Sequence, residues 1–410
     1  MLETLTAKET PLRRGWTSPL SHVARLALGR LLSWEPKGAI LIVLPSGECM
    51  RFGRKGHEAE PVLRFRRFRG FSKIATRGAI GFAEGYMDGD IDCTDLTGLF
   101  RFILRNRPEL EKAASFALSS RLRDRLAHGR RANSRRGSRR NITEHYDLGN
   151  AFYSQWLDPS MLYSSGYYAN GAKTLEDAQH EKLARILDLL ELSGDERILE
   201  IGCGWGAFAR AAAQTHGARV EGLTLSHEQL AHARKLVTAE GLSDTCSFRL
   251  EDYRDCRGSY DRIVSIEMIE AVGEAYWPHY FAVLNERLKS GGTAVLQAIT
   301  IDENRFDQYR RSADFIQRHV FPGGMLPTAT LIGDHATRAG LQLDHVERFG
   351  PCYAETLAEW SRRFEAAWPD IAPLGFDEHF RRRWRYYLAY CEAGFREGAI
   401  DVGFYRLRKP

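Results

Sequence analysis

No two of the seven cysteines (49, 93, 203, 246, 256, 352 and 391) form a CxxC pair. Their scatter argues against a zinc site or a disulfide framework, so no metal is expected, and it fits a reducing compartment. Long apolar runs are missing as well. The longest, Ala39 to Pro45, suffices for one strand and falls far short of a membrane span. The stretch "LSHVARLALGRLLSW", residues 20–34, is interrupted by Arg25 and Arg30 and lacks a small-residue cleavage site. It reads as an amphipathic helix rather than a leader peptide. Acidic residues almost vanish between Arg121 and Arg140, where nine arginines stand against the single Asp124. With a net charge of only +5 over 410 residues, that basicity is local. It marks either a solvated linker or a surface for anionic phosphate groups, on a membrane or a nucleic acid. No internal repeat is present.

The composition is that of an ordinary soluble globular protein, long enough for two or three cores. Residues 1–120 read as a small α+β domain. "GAILIVLPSGECMRFG" forms a hairpin turning at Pro45-Ser46-Gly47-Glu48, and "PVLRFRRFRGF" a half-exposed strand with a positive outer face. The pattern from Gly78 to Arg105 is helical with loop breaks. Residues 121–141 are a basic linker, and 142–410 a catalytic domain in which strands and helices alternate. The strands are "RILEIGCG", "ARVEGLTLS", "CSFRLEDY", "YDRIVSIEM" and "GGTAVLQAIT", with "HVERFG" and "DVGFYRLRK" as later ones. The expected fold is α/β, with a mostly parallel, Rossmann-like sheet covered on both faces. A mostly helical insertion, about 303–397, carries aromatics dense enough to line an apolar cavity, although most of them suit ordinary core.

The first strand breaks into Gly202-x-Gly204-x-Gly206 just after Glu200. A dinucleotide fold wants GxGxxG for its pyrophosphate. GxGxG behind an acidic strand end suits a smaller ligand, with an amino-acid and ribose portion lying flat on the backbone, which points to S-adenosylmethionine. Thr224 and Gln229, after the second strand, are placed for the ribose; Asp252 and Tyr253, after the third, for an adenine.

"HYDLGNAFYSQWLDPSMLYSS", "LEIGCGWGAFA", "GLTLSHEQ", "EDYRD", "YDRIVSIEMIEAVG", "FIQRHVFPGG" and "YYLAYCEAGFR" occur in one order. In that order the chain resembles the cyclopropane-fatty-acyl-phospholipid synthases and the mycolic-acid cyclopropane synthases, from about residue 78 to the end. The resemblance implies a class I methyltransferase fold, with the helical insertion binding an acyl chain. It also implies S-adenosylmethionine as cofactor and the unsaturated acyl chains of membrane phospholipids as substrate. Cofactor contacts then fall on Tyr163, Ser164, Glu200, Gly202, Cys203, Gly204, Trp205, Gly206, Thr224, Leu225, Gln229, Asp252 and Tyr253. Cys391 matches a cysteine assigned to the family's active site. A nucleophile is not needed for sulfonium methyl transfer to an alkene, so a buried thiol lining the acyl channel is the alternative.

In similar synthases a bicarbonate serves as base, gripped by a cysteine, a glutamate, a histidine and a tyrosine. The corresponding residues here are Ser165, Glu270, Gln297 and Tyr353, and Ala271 replaces a further histidine. Two of the four side chains differ, and an extra carboxylate, Glu267, stands three residues before Glu270; one of the two could act as the base directly or stabilise the cation, with Glu270 preferred and Glu267 otherwise simply exposed at a strand end. Bicarbonate is therefore left open and ring closure in doubt. The expectation leans to methylation, giving a methyl- or methylene-branched chain or a methylated diene, with cyclopropanation as the alternative.

The location implied is cytoplasmic, bound peripherally to an anionic inner membrane through the Arg/Phe strand and the arginine-rich linker. A homo-oligomer is left open. A nucleic-acid methyltransferase would want an Asn/Asp-Pro-Pro-aromatic motif after the fourth strand, where this chain has "EMIEAVG". A lipid-binding protein without turnover would not need the intact glycine loop and Glu270.

Overall fold

The computed structural model describes residues 34–54, 56, 59–114, 148–311 and 313–410. The expected helix at 20–33, the arginine-rich linker and His145 to Asp147 lie outside the described residues.

A small sheet forms first along the chain. β1 (Ala39–Val43) and β2 (Cys49–Gly53) make the expected antiparallel hairpin, its tight turn accommodated by Gly47 at φ 85°. β3 (Val62–Phe65) runs parallel to β1, and the order is completed as β2-β1-β3-β4 after helix α1 (Arg69–Met87) leads into β4 (Ile91–Cys93). Two local expectations are corrected here. The helix starts at Arg69, kinks at Gly78 (φ 55°, ψ −131°) and gives way to β4 before α2 (Leu96–Arg105). The basic strand ends at Phe65, and its arginines meet acids. Arg66 pairs with Asp92 at 2.6 Å, and Arg69 grips the buried Asp90 through two bonds of 2.8 and 3.1 Å.

The large sheet follows as α3 (Leu175–Leu190), β5 (Arg197–Ile201), α4 (Ala207–His216), β6 (Arg219–Thr224), α5 (His227–Ala239), β7 (Cys246–Leu250) and β8 (Tyr260–Ile266). It continues with α6 (Trp277–Arg287), β9 (Leu288–Ile301), α7 (Ala329–Arg338), β10 (Gln342–Arg348), α8 (Gly350–Ala366), α9 (Glu378–Arg396) and β11 (Ile400–Arg408). Its order is β10-β11-β9-β8-β5-β6-β7, parallel except for β11, which is antiparallel to both neighbours. The runs Ile198 to Ile201 and Thr293 to Ala298 are buried without alternation, as a sheet covered on both faces requires. β5 pairs with β6 on one side and β8 on the other, so the strand order reverses there and a ligand crevice opens at the carboxyl ends.

The expected helical insertion is not one block. α7 and β10 interrupt it and belong to the large sheet. The helix Phe315–His319, α8 and α9 remain, and aromatics of α8 and α9 form packed core with an earlier residue: Trp360 and Trp384 are buried and meet Trp156 edge to face at 5.7 and 5.9 Å. The small sheet docks on the far side of α9. Thr97 donates to Glu392 at 3.0 Å, Arg101 and Arg105 hold Glu397 at 2.7 and 3.0 Å, and Arg382 reaches the carbonyls of Tyr86 and Ile91.

Candidate active site

The turn after β5 runs through Gly202, Gly204 and Gly206 at φ 84°, 51° and 91°, a region side-chain-bearing residues enter only at a cost. Gly204 has open space where a Cβ would stand, so its backbone is accessible to a ligand. Gly206 serves a different end. A Cβ there would lie 3.1 Å from Ala233 and 3.2 Å from Phe248, so this glycine lets α4 seat against α5 and β7, and it does not line the cleft.

The cleft is lined by Tyr163, Ser164, Glu200, Gly202, Cys203, Gly204, Trp205, Thr224, Leu225, Gln229 and Tyr253, as the sequence suggested. Thr224 donates to the Gln229 carboxamide oxygen at 2.8 Å, tying the two ribose candidates together. Asp252 departs from expectation. Its carboxylate is buried against the Arg254 guanidinium at 2.6 and 2.8 Å and lies outside the lining, where Glu251 stands instead. Met161, Phe208, Ile266 and Met268 add apolar wall.

Glu200 is buried, and its Oε2 has no hydrogen-bond partner among the described residues. Burial pushes this carboxyl well above the usual range. A buried oxygen left unpaired beside an accessible glycine backbone is costly unless a cationic ligand completes it. The pair fits the amino-acid end of S-adenosylmethionine.

At the other end of the cleft, β8 runs into a 3₁₀ turn, Ile269–Ala271, that carries two glutamates. Glu267 sits in the left-handed region (φ 49°), strain of the kind found at functional sites. Its carboxylate accepts from the Ser165 backbone N–H at 2.8 Å, Gln297 Nε2 at 2.7 Å and the Tyr353 hydroxyl at 2.7 Å. The reading of Glu267 as a residue merely exposed at a strand end is thereby overturned. Serine 165 takes part through its backbone, since its hydroxyl donates to the Gly166 carbonyl. Burial raises the Glu267 carboxyl, while the Tyr353 and Ser165 donors, the Lys182 charge and Gln297 oppose that rise.

Glu270 differs from Glu267. One oxygen accepts from the Ile299 backbone N–H at 2.5 Å and the other is buried without a partner among the described residues. Burial and the neighbouring Glu267 charge push it up to about 8, so it is mainly protonated at neutral pH. Two carboxyls whose surroundings drive them apart divide the roles of base and acid. Glu267, held by three hydrogen-bond donors, is the better placed of the two to carry the charge.

Cys391, on α9, lies outside the cleft lining, and burial drives its thiol far above the ordinary range. Both its place and its raised pKa weigh against a nucleophile. Sequence reasoning also missed Lys182, on α3, which is completely buried and donates to the Ser164 hydroxyl at 2.7 Å. No motif announces it; a lysine at a core position of an amphipathic helix was the available signal.

The family model for mycolic acid cyclopropane synthetase matches residues 133–404. The chain belongs to that family. It is therefore an S-adenosylmethionine-dependent enzyme of the methyltransferase class. The tuberculostearic acid methyltransferase UfaA1 of Mycobacterium tuberculosis is 39% identical over 80% of this chain and 79% of that protein. The cyclopropane-fatty-acyl-phospholipid synthase of Escherichia coli K12 is 38% identical over 81% of this chain and 84% of its own length. Among solved structures, mycolic acid cyclopropane synthase CmaA1 complexed with SAH and CTAB superposes with a TM-score of 0.62 at 30% identity, covering 66% of this chain and 98% of that one. No helix among the described residues is long and apolar enough to cross a membrane.

Proposed function

We propose that this protein methylates the double bond of an unsaturated phospholipid acyl chain, with Glu267 as the base. When bound, S-adenosylmethionine supplies an electrophilic methyl group; Glu200, the glycine turn and Gln229 would hold it. The observation that carries the reading is the placement of the Glu267 carboxylate. Ser165, Gln297 and Tyr353, three of the four positions that resemblance assigns to a bicarbonate, converge on it instead. The chain thus brings its own anion to the place where an external one was anticipated.

In such a reaction the alkene π pair forms the new carbon–carbon bond and leaves a cation on the neighbouring carbon. A 1,2-hydride shift then moves the cation onto the methylated carbon; the ionised Glu267 stabilises that charge and takes a proton from the new methyl, whose C–H pair becomes the double bond of a methylene branch. A saturated methyl branch would need a hydride donor in a later reaction, and a conjugated diene would yield a methylated diene. The relative named as a tuberculostearic acid methyltransferase favours branching. The relative named as a cyclopropane synthase supports the alternative, in which the released pair closes a ring. The lipid is reached at an anionic membrane surface, with the arginine-rich stretch as contact and the N-terminal domain as the lipid-associated one.

The test is expression in a bacterium that lacks a cyclopropane synthase of its own. Mass spectrometry should show fatty-acid esters gaining one CH₂, and fragmentation or NMR should place a branch rather than a ring. Ring products alone would shift the reading to the alternative, and unmodified lipids would end it.

A further inference from the structure

Lys182 is the buried group the proposed chemistry leaves unexplained. It projects from α3, a helix fixed at its start by the reciprocal capping box of Thr174 and Asp177. Its side chain is wholly removed from solvent, and the partner at hydrogen-bond distance is the neutral Ser164 hydroxyl. A buried ammonium with one neutral hydroxyl as partner is expensive unless nearby negative charge compensates it. Ser164 Oγ accepts a hydrogen bond from the ammonium at 2.7 Å, and Ser164 and Tyr163 both line the cleft. The next residue, Ser165, gives its backbone N–H to Glu267. Lys182 therefore stands directly behind the strip of chain that forms one wall of the base.

We propose that Lys182 is a positioning residue for this reaction. Its ammonium is the fixed counter-charge that keeps the Glu267 carboxylate ionised, and its bond to Ser164 holds residues 163–165 against the cleft. The inference rests on Glu267 being the base. The charged and titratable groups around the pair are Asp158 beside the lysine, Glu270 on the 3₁₀ turn, Tyr353 on α8 and Tyr387 on α9. Of these, Lys182 alone is cationic. Burial lowers its own proton affinity to about 8, with Glu267 and Asp158 opposing, so it remains charged at neutral pH.

Removing the lysine should make Glu267 harder to ionise, and removing Glu267 should make Lys182 easier to deprotonate, because the coupling is reciprocal. The test uses the full chain without substrate. Infrared titration follows the protonated carboxyl band that disappears in E267Q, and nitrogen NMR follows the Lys182 amine. K182M should raise the Glu267 midpoint by about one pH unit or more, and K182R should return it toward the wild-type value. The near-isosteric E267Q should lower the Lys182 midpoint, a result that stands even where K182M does not fold. In turnover, K182M should move the acid limb of the kcat profile upward and regain rate at high pH. An unmoved limb with unmoved midpoints makes the lysine a packing residue and overturns the proposal. Wild-type turnover by E267Q would instead remove Glu267 as base, independently of how the two midpoints respond.

Discussion

The glycine turn after β5 and the acidic turn after β8 end neighbouring strands, and they are opposites. The first is mostly backbone, with one buried carboxyl oxygen left unpaired at Glu200. The second is mostly side chain, with the Glu267 carboxylate satisfied by three donors and, beside it, a protonated Glu270 whose second oxygen has no partner among the described residues. An unpaired oxygen is a place prepared for a ligand. A satisfied carboxylate, still facing the cleft, is a place prepared for a proton. The contrast separates what the sheet offers any S-adenosylmethionine enzyme from what this chain adds for its own reaction.

Glu267→Gln breaks the second turn and carries the largest expected effect. Turnover should fall about 10²–10⁴-fold, the usual scale for losing a general base, while cofactor affinity measured by calorimetry stays near wild type. Glu200→Gln breaks the first turn and should reverse that pattern. Cofactor affinity should weaken by roughly 10-fold or more, as for a lost charge-assisted bond, with most of kcat recovered at saturation.

Glu270 sharpens the comparison through pH. Its proton is held more tightly in the folded state, at about 8, than an ordinary carboxyl holds it when unfolded. Its stabilising contribution is therefore complete below the ordinary carboxyl range and declines as pH rises through about 8. Glu270→Gln, which mimics the protonated acid, should show a smaller loss of stability between pH 5 and pH 8 than wild type. Urea melts at the two pH values measure it. Cys391→Ala should have the smallest effect, changing turnover less than about threefold, because a buried neutral thiol offers no nucleophile.

Much of the first turn was legible in the sequence because glycine spacing and an unbroken apolar strand are local signals. That strands and helices alternate into a mostly parallel sheet followed from the same local pattern, whereas the sheet order and several strand ends did not. The second turn was less legible. That Glu267 meets residues 165, 297 and 353 depends on how four distant segments converge, and a strand-end glutamate looks the same in sequence whether it faces water or a cleft. Asp252 shows the reverse error: spacing put it in the site, and Arg254, two residues on, draws it away. Lys182 and the docking of the small sheet on α9 through Glu392 and Glu397 are likewise long-range, with no motif to betray them.

The most direct measurement of the central claim is product formation by the wild-type protein in buffer stripped of carbon dioxide, against the same buffer with bicarbonate restored. With Glu267 as the base, the two rates should be equal. Turnover that disappears on stripping and returns with bicarbonate would contradict the account.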